Sequence, residues 1–153
     1  MRALVQRVLS ARVEVDGDIV GAIERGLLVY LGLGRADTQE DRAWIVTKVV
    51  GLRIFEQNER MSRSVIEVGG SILLVSQFTL YGDVRRGRRP SFDEAMPPAD
   101  AEAGYDAAVR EIRALGVRVE TGRFRAHMHV WSVNDGPATM WLDSSTRGRA
   151  SHG

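Results

Sequence analysis

Cysteine is absent from this sequence, and lysine nearly so: of 21 cationic residues only Lys48 is a lysine. The first absence excludes disulfides, thiolate metal centres and a cysteine nucleophile. It fits a reducing cytoplasm, where the protein is expected to work. The second leaves a single candidate for Schiff-base or phosphate-loop lysine chemistry, and Lys48 falls in a predicted helix. Long apolar runs are also missing. Ile72 to Val75, in mid-chain, is far shorter than the roughly 20 residues that cross a bilayer, so no membrane partner is expected. Arg2 and Arg7 interrupt the first residues too soon for a signal-peptide core. With 20 anionic residues the formal charge is +1. That balance excludes a grossly basic nucleic-acid coat and an acidic tail protein, but permits a local basic patch.

Several catalytic devices are lacking as well. There is no G-x-S-x-G elbow and no G-x-x-x-x-G-K-[ST] loop. Gly32-Leu33-Gly34 hints at a phosphate turn between a strand and a helix, but Asp37 stands where a dinucleotide fingerprint needs its third glycine. His127 and His129 share one face of a predicted strand, a spacing that suits a metal. A site needs three or four ligands, and no third one is placed nearby, so no metal is expected; the plain reading is two polar residues on an outer face. Side-chain acids and bases are thus scarce. If the chain is an enzyme, backbone N–H groups or the substrate itself must supply much of the chemistry.

What is present is a chain of 153 residues, 44% hydrophobic and 27% charged, enough for one packed domain over residues 1–145. Residues 146–153 read as a frayed tail. Ala3 to Val15 is a long strand, Asp16-Gly17 a hairpin turn, Ile19 to Ile23 its return, and Gly26 to Leu33 a third strand. Asp37, with Glu40 in capping-box position, is expected to start a helix that stops near Gly51. Leu52 to Phe55 reads as a short strand and Gln57 to Ser64 as a loop. Gly69-Gly70 is expected to close a second hairpin between Val65–Val68 and Ser71–Tyr81. After an irregular stretch from Gly82 to Pro98, Asp100 should cap a second helix with the stripe Tyr105, Ala108, Val109, Ile112 and Leu115, ended by Gly116. Val117 to Thr121, His127 to Val133 and Ala138 to Leu142 complete the strands. The class is α+β, with two main helices and mostly hairpin links.

Three segments carry possible chemistry. Ser76-Gln77-Phe78-Thr79 turns polar at the end of an apolar strand, so its side chains line a pocket or are ordinary outward hydroxyls. Asn134-Asp135-Gly136-Pro137 is either a plain turn or a functional loop, and sequence leaves the Gly–Pro isomer open. Arg85, Arg86, Arg88 and Arg89 are either phosphate-gripping forks or a solvated loop face, with Arg123 and Arg125 as possible additions.

These segments, taken with Ala3-Leu4-Val5-Gln6-Arg7-Val8, Gly26-Leu27-Leu28-Val29, Arg53-Ile54-Phe55, Gly69-Gly70-Ser71, Gly87-Arg88-Arg89-Pro90-Ser91-Phe92 and Thr121-Gly122-Arg123-Phe124, closely resemble the D-aminoacyl-tRNA deacylase family. The likeness spans nearly the whole chain. Ala138 departs from it, standing where valine is expected. The resemblance implies a homodimer with a β-barrel-like antiparallel or mixed sheet, flanking helices and an active site at the subunit interface. It implies hydrolysis of the ester of D-aminoacyl-tRNA, and of glycine mischarged on tRNA(Ala), without cofactor. In that reading the partner is the acceptor end of aminoacyl-tRNA, with no DNA. Gly136 and Pro137, oriented by Arg7, would form a cis peptide that rejects L-aminoacyl groups. Ser76, Gln77, Phe78 and Thr79 would line the pocket. The amides near Phe78 and Thr79 would hold the oxyanion, with the Thr79 side chain secondary. Phe124, Met128, Asn134 and Thr139 would lie nearby, and Arg85, Arg86, Arg88 and Arg89 would hold tRNA. Two rival readings are a non-catalytic RNA-binding homodimer retaining the fold and a metal-dependent hydrolase using His127 and His129.

Overall fold

The computed structural model describes residues 1–148. Its longest early element is β1 (Arg2–Val15), whose alternating apolar residues let it serve two cores at once. Asp16 and Gly17 both have positive φ, the turn geometry that matches strand twist, and β2 (Asp18–Ile23) returns antiparallel. β3 (Gly26–Gly32) pairs antiparallel with the first half of β1.

α1 (Gln39–Gly51) is capped one residue later than the sequence suggests. Thr38, not Asp37, is the N-cap, and Asp41 rather than Glu40 completes the box by accepting from the Thr38 amide at 2.8 Å. Asp37 is engaged elsewhere: its Oδ2 accepts the Gly34 amide at 2.6 Å. Gln57 to Ser64 is not a plain loop. β4 (Phe55–Gln57) and β5 (Arg60–Arg63) form a small hairpin whose turn residues Asn58 and Glu59 have positive φ. Leu52 to Ile54 accordingly lie before the strand rather than in it.

The second hairpin does not form. Ser64 and Glu67 bond reciprocally through amide and side chain, folding Val65–Val68 into a helical turn. β6 (Ser71–Ser76) therefore runs parallel to β3, with α1 in the crossover, and ends before Tyr81. α2 (Pro98–Ala114) starts from Pro97 with Pro98 at its first position, while Asp100 lies inside the first turn, where its charge suits the helix dipole. Leu115 leaves the buried stripe and is exposed. Gly116, at positive φ, ends the helix as expected. β7 (Arg118–Thr121) then pairs parallel with β6.

β8 (His129–Asp143) lies antiparallel along the far side of β1 for almost its whole length. The sheet order β2-β1-β3-β6-β7, with β8 outside β1, is nearly closed. β2 comes back so near to β7 that a Cβ on Gly21 would collide with the Thr121 carbonyl oxygen, which is why glycine stands there. One core, with Leu27, Val29, Leu31, Ile72 and Leu74, packs under both helices. The other, with Val8, Val13, Leu28, Leu73 and Val75, fills the barrel. A 3-10 turn at Ser144–Thr146 follows, and Arg147 pairs with Asp41 and Glu40. Residues 149–153, with His152 and most of the expected tail, lie outside the described residues.

Candidate active site

The register of β8 against β1 explains the Asn134–Pro137 segment. Gln6 pairs with Thr139 and Val8 with Asn134, so four residues, 135–138, face Arg7 alone. The segment is therefore a wide bulge inside a continuous strand, not the turn of a hairpin; both flanks are held by the same long strand. Asp135 is half-buried, Gly136 and Pro137 are exposed at the crest, and Ala138 is buried at 3% exposure. The Gly136–Pro137 bond is cis and Gly136 has φ +133°. A Cβ on Gly136 would meet Arg7 Nη2 at 2.8 Å and the Ala138 amide nitrogen at 2.9 Å.

Arg7, only 4% exposed, holds this bulge from below. Its Nε donates to Asp135 O at 3.0 Å and lies 3.3 Å from Asp135 Oδ2. Nη1 donates to Ile54 O at 2.5 Å, and Nη2 lies 3.6 Å from Glu56 Oε1. A buried guanidinium in this position has its charge met by carboxylates and its forks met by carbonyls. Asn134 closes the other end, its Nδ2 donating to Arg7 O at 2.9 Å and Ala138 O at 3.1 Å. Thr139 is exposed and accepts from Gln6 Nε2 at 3.2 Å.

Ser76 ends β6 half-buried, and the chain then turns into a 3-10 turn, Phe78–Tyr81. Gln77 is anchored by its amide, which donates to Leu31 O at 2.8 Å; its side chain donates to Thr79 Oγ1. No side chain caps the start of the turn. The first N–H groups of such a turn have no partner within it. Phe78 is 57% exposed and packs edge-on against Phe92, ring centroids 5.0 Å apart. Arg2, Asp37 and Asp143 back the turn, which Tyr81 closes, and none of the four was expected at the site from sequence. Burial and the Asp37 carboxylate push the Tyr81 phenol well above its ordinary pKa. Burial opposes ionisation of Asp143, but the Ser145 amide and Arg2 hold its pKa below the usual carboxylate value.

Within one chain the turn and the bulge do not meet. The turn is tied to Arg2 and the bulge to Arg7, which are five residues, about 17 Å, apart along β1. Phe124 packs beside Tyr105, and Met128 against the barrel core next to Gly122; both are half-buried. His127 and His129 lie edge to face, centroids 5.2 Å apart. No group of three His, Cys, Asp or Glu that could share an ion occurs among the described residues.

The arginine loop closes where Asp83 and Ser91 exchange backbone hydrogen bonds at 2.7 and 2.9 Å. Arg85 is not equivalent to its neighbours. Its Nε and Nη2 both donate to the Asp83 carboxylate, at 2.9 and 2.7 Å. Those hydrogen bonds hold the Asp83 pKa down at about 2. Arg86, Arg88 and Arg89 are exposed and have no carboxylate partner among the described residues.

A model of the D-Tyr-tRNA(Tyr) deacylase family matches residues 4–143. The chain belongs to this family. The D-aminoacyl-tRNA deacylase of Thermotoga petrophila is 58% identical over 146 residues, 95% of this chain and 98% of that protein. That of Koribacter versatilis is 58% identical over 145 residues, 94% and 97% of the two chains. Among solved structures, the c-Myc DNA Unwinding Element Binding Protein has a TM-score of 0.88 at 40% identity, covering 94% of this chain and 98% of that one. A probable eukaryotic D-amino acid tRNA deacylase shares the fold, with a TM-score of 0.80 at 22% identity and coverage of 92% and 97%. The deacylase match includes the bulge, the 3-10 turn and the arginine loop, so the segments singled out from sequence all lie inside it.

Proposed function

We propose that this protein hydrolyses the ester linking a D-amino acid to the terminal ribose of tRNA, releasing the free D-amino acid and tRNA. The match to the deacylase family over residues 4–143 carries this reading. Among the described residues no helix is long and apolar enough to cross a membrane, and tRNA is met in the cytoplasm, where this reading locates the protein.

The working unit is a pair of chains. One chain's bulge reaches the other chain's 3-10 turn; the separation of these segments within one chain supports this. So do Trp131, Val133 and Trp141, large apolar residues left exposed on β8. In the shared pocket the carbonyl oxygens of Gly136 and Pro137 accept the substrate's α-amino hydrogens. An L side chain would then be driven into those carbonyls and is excluded, whereas a D side chain points outward. Glycine has no side chain to exclude, so glycine mischarged on tRNA(Ala) is also cleaved. Arg7 keeps the screen rigid through Asp135 O.

Water adds to the acyl carbon, assisted by the neighbouring ribose 2′-hydroxyl. The charge that develops on the carbonyl oxygen is met by the uncapped N–H groups of Phe78 and Thr79. The ester C–O bond then breaks and the ribose oxygen leaves with a proton. Ser76 and Gln77 line the same pocket. Thr79 is not the nucleophile: its hydroxyl is bonded by a Gln77 amide, which is no base. Arg86, Arg88 and Arg89 hold phosphates of the acceptor end.

Parallel incubation with D- and L-tyrosyl-tRNA tests the proposal. Release of tyrosine from the D-ester alone is expected. Equal release from both, or binding of tRNA without release from either, would refute it; the latter is the behaviour of a non-catalytic RNA-binding dimer.

A further inference from the structure

Arg2 touches three residues at once, two in the 3-10 turn and one at the end of β8. Its Nη1 donates to Leu80 O at 2.9 Å, and its Nε lies 3.3 Å from Asp143 Oδ2. Its guanidinium carbon sits 4.4 Å from the centroid of the Tyr81 ring. Tyr81 in turn donates to Asp37 Oδ2 at 3.2 Å, the oxygen that also accepts the Gly34 amide. The end of the turn is thus clamped through both a carbonyl and a ring. Its beginning is fixed by the Gln77 amide on Leu31 O. The turn also lies close against β3: a Cβ on Gly32 would be 3.0 Å from both Gln77 O and Leu80 Cβ, and one on Gly34 would be 2.5 Å from the Tyr81 ring. Between these two anchors Phe78 and Thr79 are exposed.

We propose that Arg2 is a positioning residue for hydrolysis: by holding Leu80 O and the Tyr81 ring it sets the direction of the Phe78 and Thr79 N–H groups. The inference rests on reading those groups as the oxyanion donors. Arg2 acts through the turn and does not itself touch the reacting ester. The task suits arginine because its planar fork donates in two directions while its face stacks on a ring. Lysine, a point charge on a flexible stem, does not meet all three partners together. Donors aimed at a developing charge tolerate little misplacement, so loosening the far end of a four-residue turn is felt at its start.

The test compares the unaltered protein with Arg2→Ala and Arg2→Lys. The Arg2 side chain is 34% exposed, so both replacements are tolerated without a deep void. Arg2→Ala should lower kcat for D-tyrosyl-tRNA about tenfold, the effect of removing one charge-assisted hydrogen bond, with KM within about twofold. Arg2→Lys should recover part of kcat. The D-over-L preference should not change, because the bulge is anchored elsewhere. The amide resonances of Phe78 and Thr79 should shift in both variants, while that of Gly136 does not. An unchanged kcat per folded molecule would overturn the inference even if the melting temperature fell. A raised KM at constant kcat would also overturn it, making Arg2 a tRNA-binding cation. Failure of the unaltered protein to cleave D-tyrosyl-tRNA would sink the underlying reading instead, and the amide resonances would still test the clamp by themselves.

Discussion

The Nε–H of Arg7 donates to the carbonyl oxygen of Asp135 at 3.0 Å, so the residue just before the Gly136–Pro137 crest is held by a buried cation on the neighbouring strand. The same guanidinium reaches Ile54 O and the Glu56 carboxylate, joining the bulge to the start of the β4–β5 hairpin. Shortening Arg7 to alanine removes donors from two carbonyls and leaves Glu56 and Asp135 without their cation. Arg7→Ala should cost about 2–4 kcal/mol of stability, read as a shifted urea midpoint. Arg7→Lys keeps the charge but not the fork. It should retain the fold and raise hydrolysis of L-tyrosyl-tRNA relative to the D-ester. An unchanged D-over-L ratio in Arg7→Lys would dissociate Arg7 from the chiral screen.

Gly136 sits at φ +133°, and a side chain there would press on both Arg7 Nη2 and the Ala138 amide nitrogen. A β-carbon thus adds backbone strain of about 1–3 kcal/mol to a direct clash with the residue that holds the bulge. Gly136→Ala should lower stability by at least that strain and abolish the preference for the D-ester. Differential scanning fluorimetry with the paired D and L assay reads both. Wild-type selectivity in this variant would show that the crest does not screen the substrate.

Thr79 carries the only hydroxyl in the 3-10 turn apart from Tyr81, and it already accepts from Gln77. If water and the ribose 2′-hydroxyl do the chemistry, Thr79→Ala should keep kcat within about tenfold of the unaltered protein. A substrate with a 2′-deoxy terminal ribose should lose about a hundredfold or more in kcat, the scale of general acid–base assistance, with tRNA binding unchanged. Complete loss of activity in a folded Thr79→Ala protein, with full turnover of the 2′-deoxy ester, would reverse those roles.

How far the sequence discloses this arrangement depends on whether each feature is local. The alternation in β1 on either side of Arg7 and Val8, the Asp16-Gly17 turn and the Tyr105–Ile112 stripe of α2 are set by near neighbours and are readable. Val65–Val68 is equally apolar, yet Ser64 and Glu67 turn it helical, and the parallel pairing of β6 follows from two helical crossovers that no short window displays. Asn134–Pro137 has the composition of a turn. It is a bulge because the residues on both sides pair with β1, more than a hundred positions away. The segments of the site are legible as residue types, whereas their division between two chains comes only through the family resemblance and from no local pattern. Arg2 gives no signal at all: in sequence it is one polar residue at the start of an alternating strand.

The arginine loop yields a prediction that divides four residues which look alike in sequence. Arg85 is locked to Asp83 by two side-chain hydrogen bonds, so its charge is already answered, whereas Arg86, Arg88 and Arg89 present theirs to solvent. Every phosphate left without its arginine should reduce the slope of log binding against log salt by about 0.7–0.9. Neutralising Arg86, Arg88 and Arg89 to glutamine should therefore flatten the slope for tRNA binding stepwise while leaving the D-over-L ratio intact. Arg85→Gln should leave the slope nearly unchanged and instead release Asp83, whose carboxyl should move from about 2 up to an ordinary carboxylate value. The sign follows from the depressed native value. The Asp83–Arg85 pairing favours the closed loop at pH above the unfolded carboxyl's pKa, and that contribution is lost as pH falls toward about 2. Carboxyl titration by NMR reads the shift, and filter binding across a salt series reads the slope. If Arg85→Gln flattened the slope as much as its three neighbours, Asp83 would have to give Arg85 up to a phosphate on binding, and all four arginines would belong to the tRNA surface.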